Sequence, residues 1–162
     1  MDQSMFLKLI EEMIPFNKFL GMQVVHMSPG RLRIDIPFRE ELIGNPMRRA
    51  LHGGVLSTVA DTAGGMLIWS ALDHIWYNLS TIDLRMDYLR PGKCETLACE
   101  ATLVRLGKSV GVTDMRCFHP GNEAETIATG KGVYSIKVMK QIPAGFEGSA
   151  KDIKDSKLPK DK

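Results

Sequence analysis

The chain has 162 residues, of which 44% are hydrophobic and 25% charged, and its formal net charge is +2. This length fits one globular domain with a sizeable core. The charge excess lies entirely in the last thirteen residues, where five lysines outnumber three aspartates. The rest of the chain is neutral, which gives no electrostatic support for binding nucleic acid or a membrane surface.

The first predicted elements form a helical lead-in of two short pieces, residues 1–21. Residues 4–13 carry apolar side chains at helical spacing, and Pro15 stops that helix because proline cannot continue it. A second short turn ends at Gly21, a residue suited to the left-handed conformation that closes a helix. We expect the lead-in to belong to a single domain that ends at residue 143.

Six stretches of alternating polar and apolar residues predict an antiparallel sheet. Two precede the longest helix and four follow it. In the third stretch, strict alternation places Ile82 and Leu84 on one face and Thr81 on the other. Residues 40–50, between the second stretch and the helix, are expected to form a loop. The predicted strands are residues 22–27, 31–38, 79–89, 96–104, 109–118 and 126–138.

The stretch 51–72 predicts one long helix around which the fold is organised. Its apolar residues recur at helical spacing and most other positions are small, so we expect burial on nearly all sides. Asp61 is the only formally charged side chain between Gly53 and Leu72. Because a lone carboxylate in an apolar setting is costly, Asp61 is either a hydrogen-bonded structural residue or a catalytic carboxylate at a pocket rim. The carboxylate also disfavours a membrane span.

Glycines stand at two places in this helix. Gly64 and Gly65 in its middle each cost roughly 1 kcal/mol of helix stability, so we expect a strand or second helix to approach there. His52-Gly53-Gly54 stands where the helix should begin. The first turn has backbone N–H groups without intrahelical partners, and glycines let a ligand come close to them. An oxyanion site needs such fixed donors, although an ordinary Gly-rich helix start has the same sequence.

His52-Gly53-Gly54, followed by an acidic residue nine positions after the histidine in an otherwise apolar helix, resembles the hotdog-fold acyl-CoA thioesterases. Within them it is most similar to the PaaI-type branch, which is related to the 4-hydroxybenzoyl-CoA thioesterases. The resemblance spans roughly residues 20–138. It implies an α+β fold with an antiparallel sheet wrapped around one long central helix. It also implies hydrolysis of an acyl-CoA thioester to free acid and CoA, with no cofactor.

The resemblance also implies the catalytic roles. The Gly53 N–H polarises the thioester carbonyl, and Asp61 either attacks it or activates water as a general base. His52 supports the carbonyl site, and Thr81 orients Asp61 or its water; a hydrogen-bonded turn histidine and an ordinary strand threonine are the alternatives. Asn45 lies seven residues before His52, one more than in many relatives, so the loop would have to bulge for Asn45 to serve.

Other residues are candidates for substrate binding. Met66 and Trp69, one and two turns beyond Asp61, are predicted to line the acyl pocket, with core packing as the alternative. The phosphates of coenzyme A favour basic partners near turns, although solvated strand ends look the same in sequence. The remaining candidates are Gly54, Arg90, Arg105, Gly107, Lys108 and Ser109.

Gly53 and Asp61 lie about two turns apart, roughly 12 Å along a helix axis, so one helix could hardly bring both to one carbonyl. Two antiparallel copies could. The resemblance implies such a homodimer, with His52-Gly53-Gly54 from one subunit and the acid from the other. We expect an obligate homodimer, which two copies could extend to a homotetramer.

Two other functions stay open. A non-catalytic acyl-CoA-binding hotdog module would keep the dimer but would not need Asp61. A hotdog dehydratase uses a histidine in a different motif, which His52-Gly53-Gly54 does not match. Three cysteines without a C-x-x-C pair indicate free thiols and no metal site, and the N-terminus does not resemble a signal peptide, so we expect a cytoplasmic protein. Residues 144–162, rich in Lys and Asp, predict a disordered tail.

Overall fold

The structure, a computed structural model, describes residues 3–73 and 77–139. A six-stranded antiparallel sheet wraps around one long helix, which confirms the predicted hotdog arrangement. The predicted end of the domain at residue 143 and the predicted tail, 144–162, lie outside the described residues. The elements are α1 (Gln3–Lys8), a π-helical turn (Leu9–Met13), α2 (Pro15–Leu20), β1 (Gln23–Ser28), β2 (Arg31–Ile36), a 3₁₀ turn (Glu40–Leu42), β3 (Ile43–Asn45), β4 (Ala50–Leu51), α3 (Gly53–Ser70), β5 (Tyr77–Tyr88), β6 (Leu97–Leu106), β7 (Val110–Phe118) and β8 (Ala128–Val138).

The strands lie in the order β1-β2-β6-β7-β8-β5, so β1 and β5 form the two edges of the sheet. Alternation decides which side chains meet the helix: Leu32, Ile34 and Ile36 of β2 are fully buried, as the sequence pattern predicted. Strands β2, β5, β6, β7 and β8 all contact α3. Across the described ranges, no helix is long and apolar enough to span a bilayer.

Helix α3 is buried along one side and half-buried along the other. The prediction of burial on nearly all sides is therefore wrong for the second side. The reason is that the sheet of one chain encloses only part of the helix circumference. The buried positions are Val55, Leu56, Val59, Ala60, Ala63, Gly64, Leu67 and Ile68. The half-buried stripe is Ser57, Thr58, Asp61, Thr62, Gly65, Met66, Trp69 and Ser70.

A β-bulge in β5 corrects the predicted faces of that strand. The pairing of β5 with β8 shifts register between Thr81 and Asp83, so Ile82 is an extra residue in the strand. A bulge reverses which side later residues face. As a result Thr81 bonds a residue of α3, whereas Ile82 is 58% exposed. The prediction that Ile82 and Leu84 share one face is therefore wrong, because Leu84 packs against the core while Ile82 is exposed.

Two segments ahead of α3 also differ from prediction. Residues 4–13 do not form one α-helix, because α1 ends at Lys8 and a π-helical turn follows. Met13, predicted on the apolar face, is 44% exposed as a result. Residues 40–50 are not all loop, since Ile43–Asn45 and Ala50–Leu51 pair as a small hairpin. Gly21 adopts the predicted left-handed cap, with φ of 70°.

Gly64 is confirmed as a point of close approach between α3 and the sheet. A Cβ at this position would overlap the Tyr134 hydroxyl and lie 2.6 Å from Thr113 Oγ1. We therefore expect Gly64→Ala to destabilise the protein by about 1–3 kcal/mol through overpacking, despite the better helix propensity of alanine. Urea unfolding would measure the change. Gly65→Ala is the matched control, because its Cβ would lie 3.3 Å from the nearest atom, Tyr134 Cε1, which is a milder contact than at Gly64. Equal stability of the two variants would contradict the prediction.

Candidate active site

Asp61 and Thr81 form the centre of the candidate site. The Thr81 hydroxyl donates a hydrogen bond to Asp61 Oδ1 at 2.8 Å, although twenty residues separate them in the sequence. Asp61 lies on the half-buried stripe of α3. Thr81 reaches it from β5, where the bulge comes directly after Thr81 in the strand. A single hydroxyl fixes one carboxylate oxygen and leaves the other available to water or substrate.

Tyr134 of β8 supports the same turn of the helix, and the sequence analysis did not single it out. Its hydroxyl donates to the Asp61 backbone carbonyl at 3.2 Å. Burial and the nearby Asp61 carboxylate raise the pKa of Tyr134 far above that of free tyrosine. The phenol therefore stays protonated at neutral pH and keeps donating its hydrogen bond. Its inward position in an alternating strand was the only available signal, and core residues share that signal.

A groove runs from Asp61 between α3 and β5, and we call it the Asp61 groove. It has a volume of about 280 Å³. Met66 and Trp69 line it, which agrees with their predicted place beside the acid, and Ile14 and Asn17 of the lead-in complete it. The full lining is Ile14, Asn17, Asp61, Thr62, Gly65, Met66, Trp69, Tyr77, Asn78, Leu79, Thr81, Tyr134 and Met139.

Of the first two backbone N–H groups of α3, those of Gly53 and Gly54, one is hydrogen-bonded within the chain. His52 is the N-cap, and its Nδ1 accepts the Gly54 N–H at 2.8 Å. A Cβ on Gly54 would lie 2.8 Å from that same nitrogen, so the histidine cap requires glycine here. The Gly53 N–H has no such partner in the described part of the chain. Gly53 therefore has the N–H that is available to a ligand, whereas the contact of His52 is that of a hydrogen-bonded turn histidine, and its supporting role stays a prediction.

A second cavity, the Gly53 pocket, opens at this helix start. It has a volume of about 350 Å³ and is lined by Gly53, Leu56, Arg90 and neighbouring residues of the 88–92 segment. Tyr88 lies over Gly53, with its hydroxyl 3.3 Å from the Gly53 carbonyl oxygen, to which it donates. Arg90 and Gly53 thus line the same cavity, whereas Asp61 and Thr81 line the other one.

Besides His52 and Gly54 of the helix cap, five of the predicted residues line neither cavity within one chain. Asn45 is exposed in the small hairpin, where its Oδ1 accepts the Arg48 N–H at 3.0 Å. The other four are Arg105 near the end of β6 and Gly107, Lys108 and Ser109 in the turn that joins β6 to β7. That turn is near the C-terminal end of α3, because Gly111 packs against the Ile68 side chain. Arg90, in contrast, is at the N-terminal end.

The described residues offer no alternative site built on metal ligands or thiols. No three His, Cys, Asp or Glu side chains among residues 3–73 and 77–139 lie close enough to hold a metal ion. Cys94, Cys99 and Cys117 are free thiols, as predicted. Burial and its hydrogen-bonded neighbour Cys117 raise the pKa of Cys99. A thiol of raised pKa is a poor nucleophile.

Comparison with known proteins identifies the family. The sequence model described as "Thioesterase superfamily" matches residues 49–125, which include both the helix start and Asp61. The medium/long-chain acyl-CoA thioesterase YigI of Escherichia coli is 32% identical over 146 residues, covering 80% of this chain and 93% of YigI. The chain belongs to the thioesterase superfamily.

Two further relatives agree with this assignment. A candidate esterase of Halobacterium salinarum is 37% identical over 124 residues, covering 73% of this chain and 82% of the relative. A crystal structure of a Shewanella oneidensis protein related to the thioesterase superfamily is 28% identical, with a TM-score of 0.74, and covers 83% of this chain and 94% of that one. The predicted fold and a thioester-hydrolysing enzyme are thereby confirmed, while the PaaI-type branch stays a prediction.

Proposed function

We propose that this thioesterase hydrolyses acyl-CoA to the free acid and CoA, with Asp61 as its catalytic carboxylate. The observation that carries the proposal is the Asp61 carboxylate, held by the Thr81 hydroxyl at 2.8 Å where a largely apolar groove begins. A non-catalytic module would gain nothing from placing a charge there, because an acyl chain favours an uncharged wall. The non-catalytic binding module is accordingly the weaker alternative.

The chemistry needs one base or nucleophile and one oxyanion site. In the general-base route, a water oxygen bonds to the carbonyl carbon while Asp61 takes a proton from that water. The carbon–sulfur bond then breaks, and the CoA sulfur leaves with the electron pair. In the nucleophilic route, an Asp61 oxygen bonds to the carbonyl carbon, the carbon–sulfur bond breaks with its electron pair left on the CoA sulfur, and water then opens the resulting anhydride to free acid and Asp61. In both routes the carbonyl oxygen gains charge, and the Gly53 N–H at the helix N-terminus stabilises it. Neither route requires a cofactor.

These groups come together across a homodimer. Within one chain, Gly53 and Asp61 line different cavities, and helix rise separates them by roughly 12 Å. In two antiparallel copies of α3, the N-terminal end of one helix lies beside the later turns of the other. The Gly53 pocket of one subunit then joins the Asp61 groove of its partner, and each dimer has two complete sites.

The edge strand β5 supplies the surface for this dimer. It has twelve residues and pairs only with β8 in the described sheet, so its other edge offers unpaired backbone groups. Ile82 and Tyr88 on this strand are more than half exposed. A two-fold axis through β5 pairs the strand with its own copy, which is the usual self-complementary geometry of homodimers. Both cavities border β5, so the axis brings them together.

The same two-fold axis also brings the basic residues that are candidates for binding CoA close to each site. Arg90 lies at the Gly53 end of α3, whereas the β6–β7 connection, with Lys108 in the turn and Arg105 at the end of β6, lies near Ile68, roughly 22 Å away along the helix. Antiparallel helices place one end beside the other, so basic groups from both subunits flank each site. We propose these side chains as partners for the phosphates of CoA.

We propose a medium-length straight chain as the acyl group. YigI is named for medium/long-chain substrates. A volume of about 280 Å³ holds about nine non-hydrogen atoms, if each takes up about the 30 Å³ that a water molecule occupies in the liquid. The groove follows α3 for roughly 12 Å, from Asp61 to Trp69, which suits an extended chain better than a ring.

Thiol release from hexanoyl-, decanoyl-, benzoyl- and phenylacetyl-CoA tests this function. We expect hydrolysis of all the straight-chain thioesters, with kcat/KM for decanoyl-CoA at least about tenfold above that for benzoyl-CoA, because more apolar surface is buried. Binding of the thioesters without release of CoA would favour the non-catalytic module. Faster hydrolysis of the two aromatic thioesters would keep the activity and overturn the proposed acyl group.

A further inference from the structure

The helical lead-in does more than cover the core, because it takes part in the Asp61 groove. Ile14 and Asn17 line that groove together with residues of α3 and β5. The groove has two ends. Thr81 lies beside Asp61 at one end, and Tyr77 is four strand residues earlier, roughly 13 Å away. Trp69 lies a similar distance from Asp61 along α3, so Trp69 and Tyr77 mark the far end.

The lead-in is attached at this far end. Phe6 of α1 packs edge-on against Trp69, with ring centroids 6.2 Å apart and planes at 80°. Phe6 and Ile10 are fully buried in the core. Ile14 follows the π-helical turn directly and has an extended backbone, with φ of −83° and ψ of 109°. The break between the π-helical turn and α2 therefore lies on the groove.

Two hydrogen bonds fix the shape of the lead-in, and a third attaches it to the sheet. Asn17 is 3% exposed, and its side-chain amide donates to the Ile10 carbonyl at 3.0 Å. The Glu11 carboxylate accepts the Val24 N–H of β1 at 2.7 Å, and the Ile14 N–H closes the π-helical turn on the Leu9 carbonyl at 3.2 Å. A segment held by buried side chains, by its own hydrogen bonds and by one bond to the sheet behaves as a fixed wall. Such a wall limits how long a ligand can be.

We propose that the lead-in, residues 3–20, is the distal wall of the acyl site and that Ile14 sets the longest acyl chain accepted. This inference rests on the proposed function. π-Helical turns are rare and are frequent at functional sites, and here the turn ends at the residue that faces the groove. The ligand class is a straight-chain acyl thioester whose terminal methyl group meets Ile14. Ile14 is a specificity-determining residue and takes no part in the chemistry.

The test compares Ile14→Ala with the wild type over a series of acyl-CoA thioesters from hexanoyl to hexadecanoyl. Alanine removes three side-chain carbons, so we expect the longest efficient chain to grow by about two methylene groups. At that new length, kcat/KM should rise about tenfold, while values for hexanoyl-CoA change little. Ile14→Trp should shorten the longest acyl chain that the protein hydrolyses efficiently. Met13→Ala is the matched control, because Met13 precedes Ile14 in the sequence but is exposed and does not line the groove.

A second readout separates the wall from catalysis. S-alkyl-CoA thioethers of the same lengths lack a cleavable thioester, and calorimetry gives their Kd. A length limit in Kd that shifts in Ile14→Ala supports the wall even if the protein cleaves no thioester. An unchanged length profile in both readouts overturns the wall even if hydrolysis is fast. Ile14→Met, which conserves volume, should keep the wild-type profile; if it shifts like Ile14→Ala, the wall is also overturned.

Discussion

Replacing Asp61 with asparagine is expected to lower kcat for thioester hydrolysis by about 10²- to 10⁴-fold, the usual contribution of general acid–base catalysis. Asparagine has nearly the same shape, so its side-chain oxygen can still accept the Thr81 hydrogen bond. Its amide neither takes a proton from water nor attacks a carbonyl at neutral pH. The acyl chain and CoA make their contacts elsewhere, so KM should change much less than kcat. Steady-state thiol release measures both.

Asp114→Asn is the matched control for this loss of a carboxylate. Asp114 is exposed on β7 and pairs with Lys131 at 2.5 Å, away from both cavities that border β5. Because exposed ion pairs contribute little to stability, we expect wild-type kcat and an unchanged unfolding midpoint. If Asp61→Asn and Asp114→Asn hydrolysed decanoyl-CoA equally well, Asp61 would not be the catalytic group.

Much of the fold could be predicted because the spacing of apolar residues in the sequence matches the side chains that the structure buries. In β2, Leu32, Ile34 and Ile36 alternate with charged residues, and the structure buries all three. The long apolar run could only be a central helix, and Gly64 marked its closest contact with the sheet. These features depend on local pattern alone. A local pattern is readable without knowing which distant residues meet.

The errors arise where backbone geometry departs from a regular repeat. The bulge at Ile82 adds one residue to β5, and neither Thr81 nor Ile82 has a sequence signal that announces it. The π-helical turn after Lys8 likewise changes the helical period for a few residues, which leaves Met13 exposed. Both irregularities border the Asp61 groove. A repeat-based prediction is therefore least accurate at the candidate site itself.

The candidate site could be predicted only in part for a related reason. His52, Gly53 and Asp61 lie within ten residues of one another, and their spacing on one helix was readable. Tyr134 bonds Asp61 from 73 positions away in the sequence, and Asn17 lines the same groove from 44 positions away. Their contacts exist only once the sheet has closed around α3. A tyrosine in an alternating strand and a polar residue in a short helix look ordinary before that.

Gly53→Pro is expected to lower kcat by about 10²- to 10³-fold, the usual cost of losing one oxyanion donor. Proline deletes the N–H and little else, because Gly53 is the first residue of α3, where proline is well tolerated. The preceding His52 already has the extended backbone that proline demands, with φ of −67° and ψ of 130°. Gly53→Ala keeps the N–H, and its Cβ would meet Tyr88 Cε1 at an ordinary 3.4 Å. Alanine should therefore retain most of the activity, and equal loss in both variants would contradict the oxyanion role.

Mixing the two inactive variants is expected to restore activity, because each active site takes Gly53 from one subunit and Asp61 from the other. A heterodimer of Gly53→Pro and Asp61→Asn has one site with both lesions and one site with neither. Two affinity tags allow the heterodimer to be purified, and it should show about half of the wild-type kcat per dimer, as two-fold symmetry requires. Each variant purified alone and remixed with itself is the control. A heterodimer as inactive as its parents would place Gly53 and Asp61 in the same site of one chain, which the roughly 12 Å along α3 argues against.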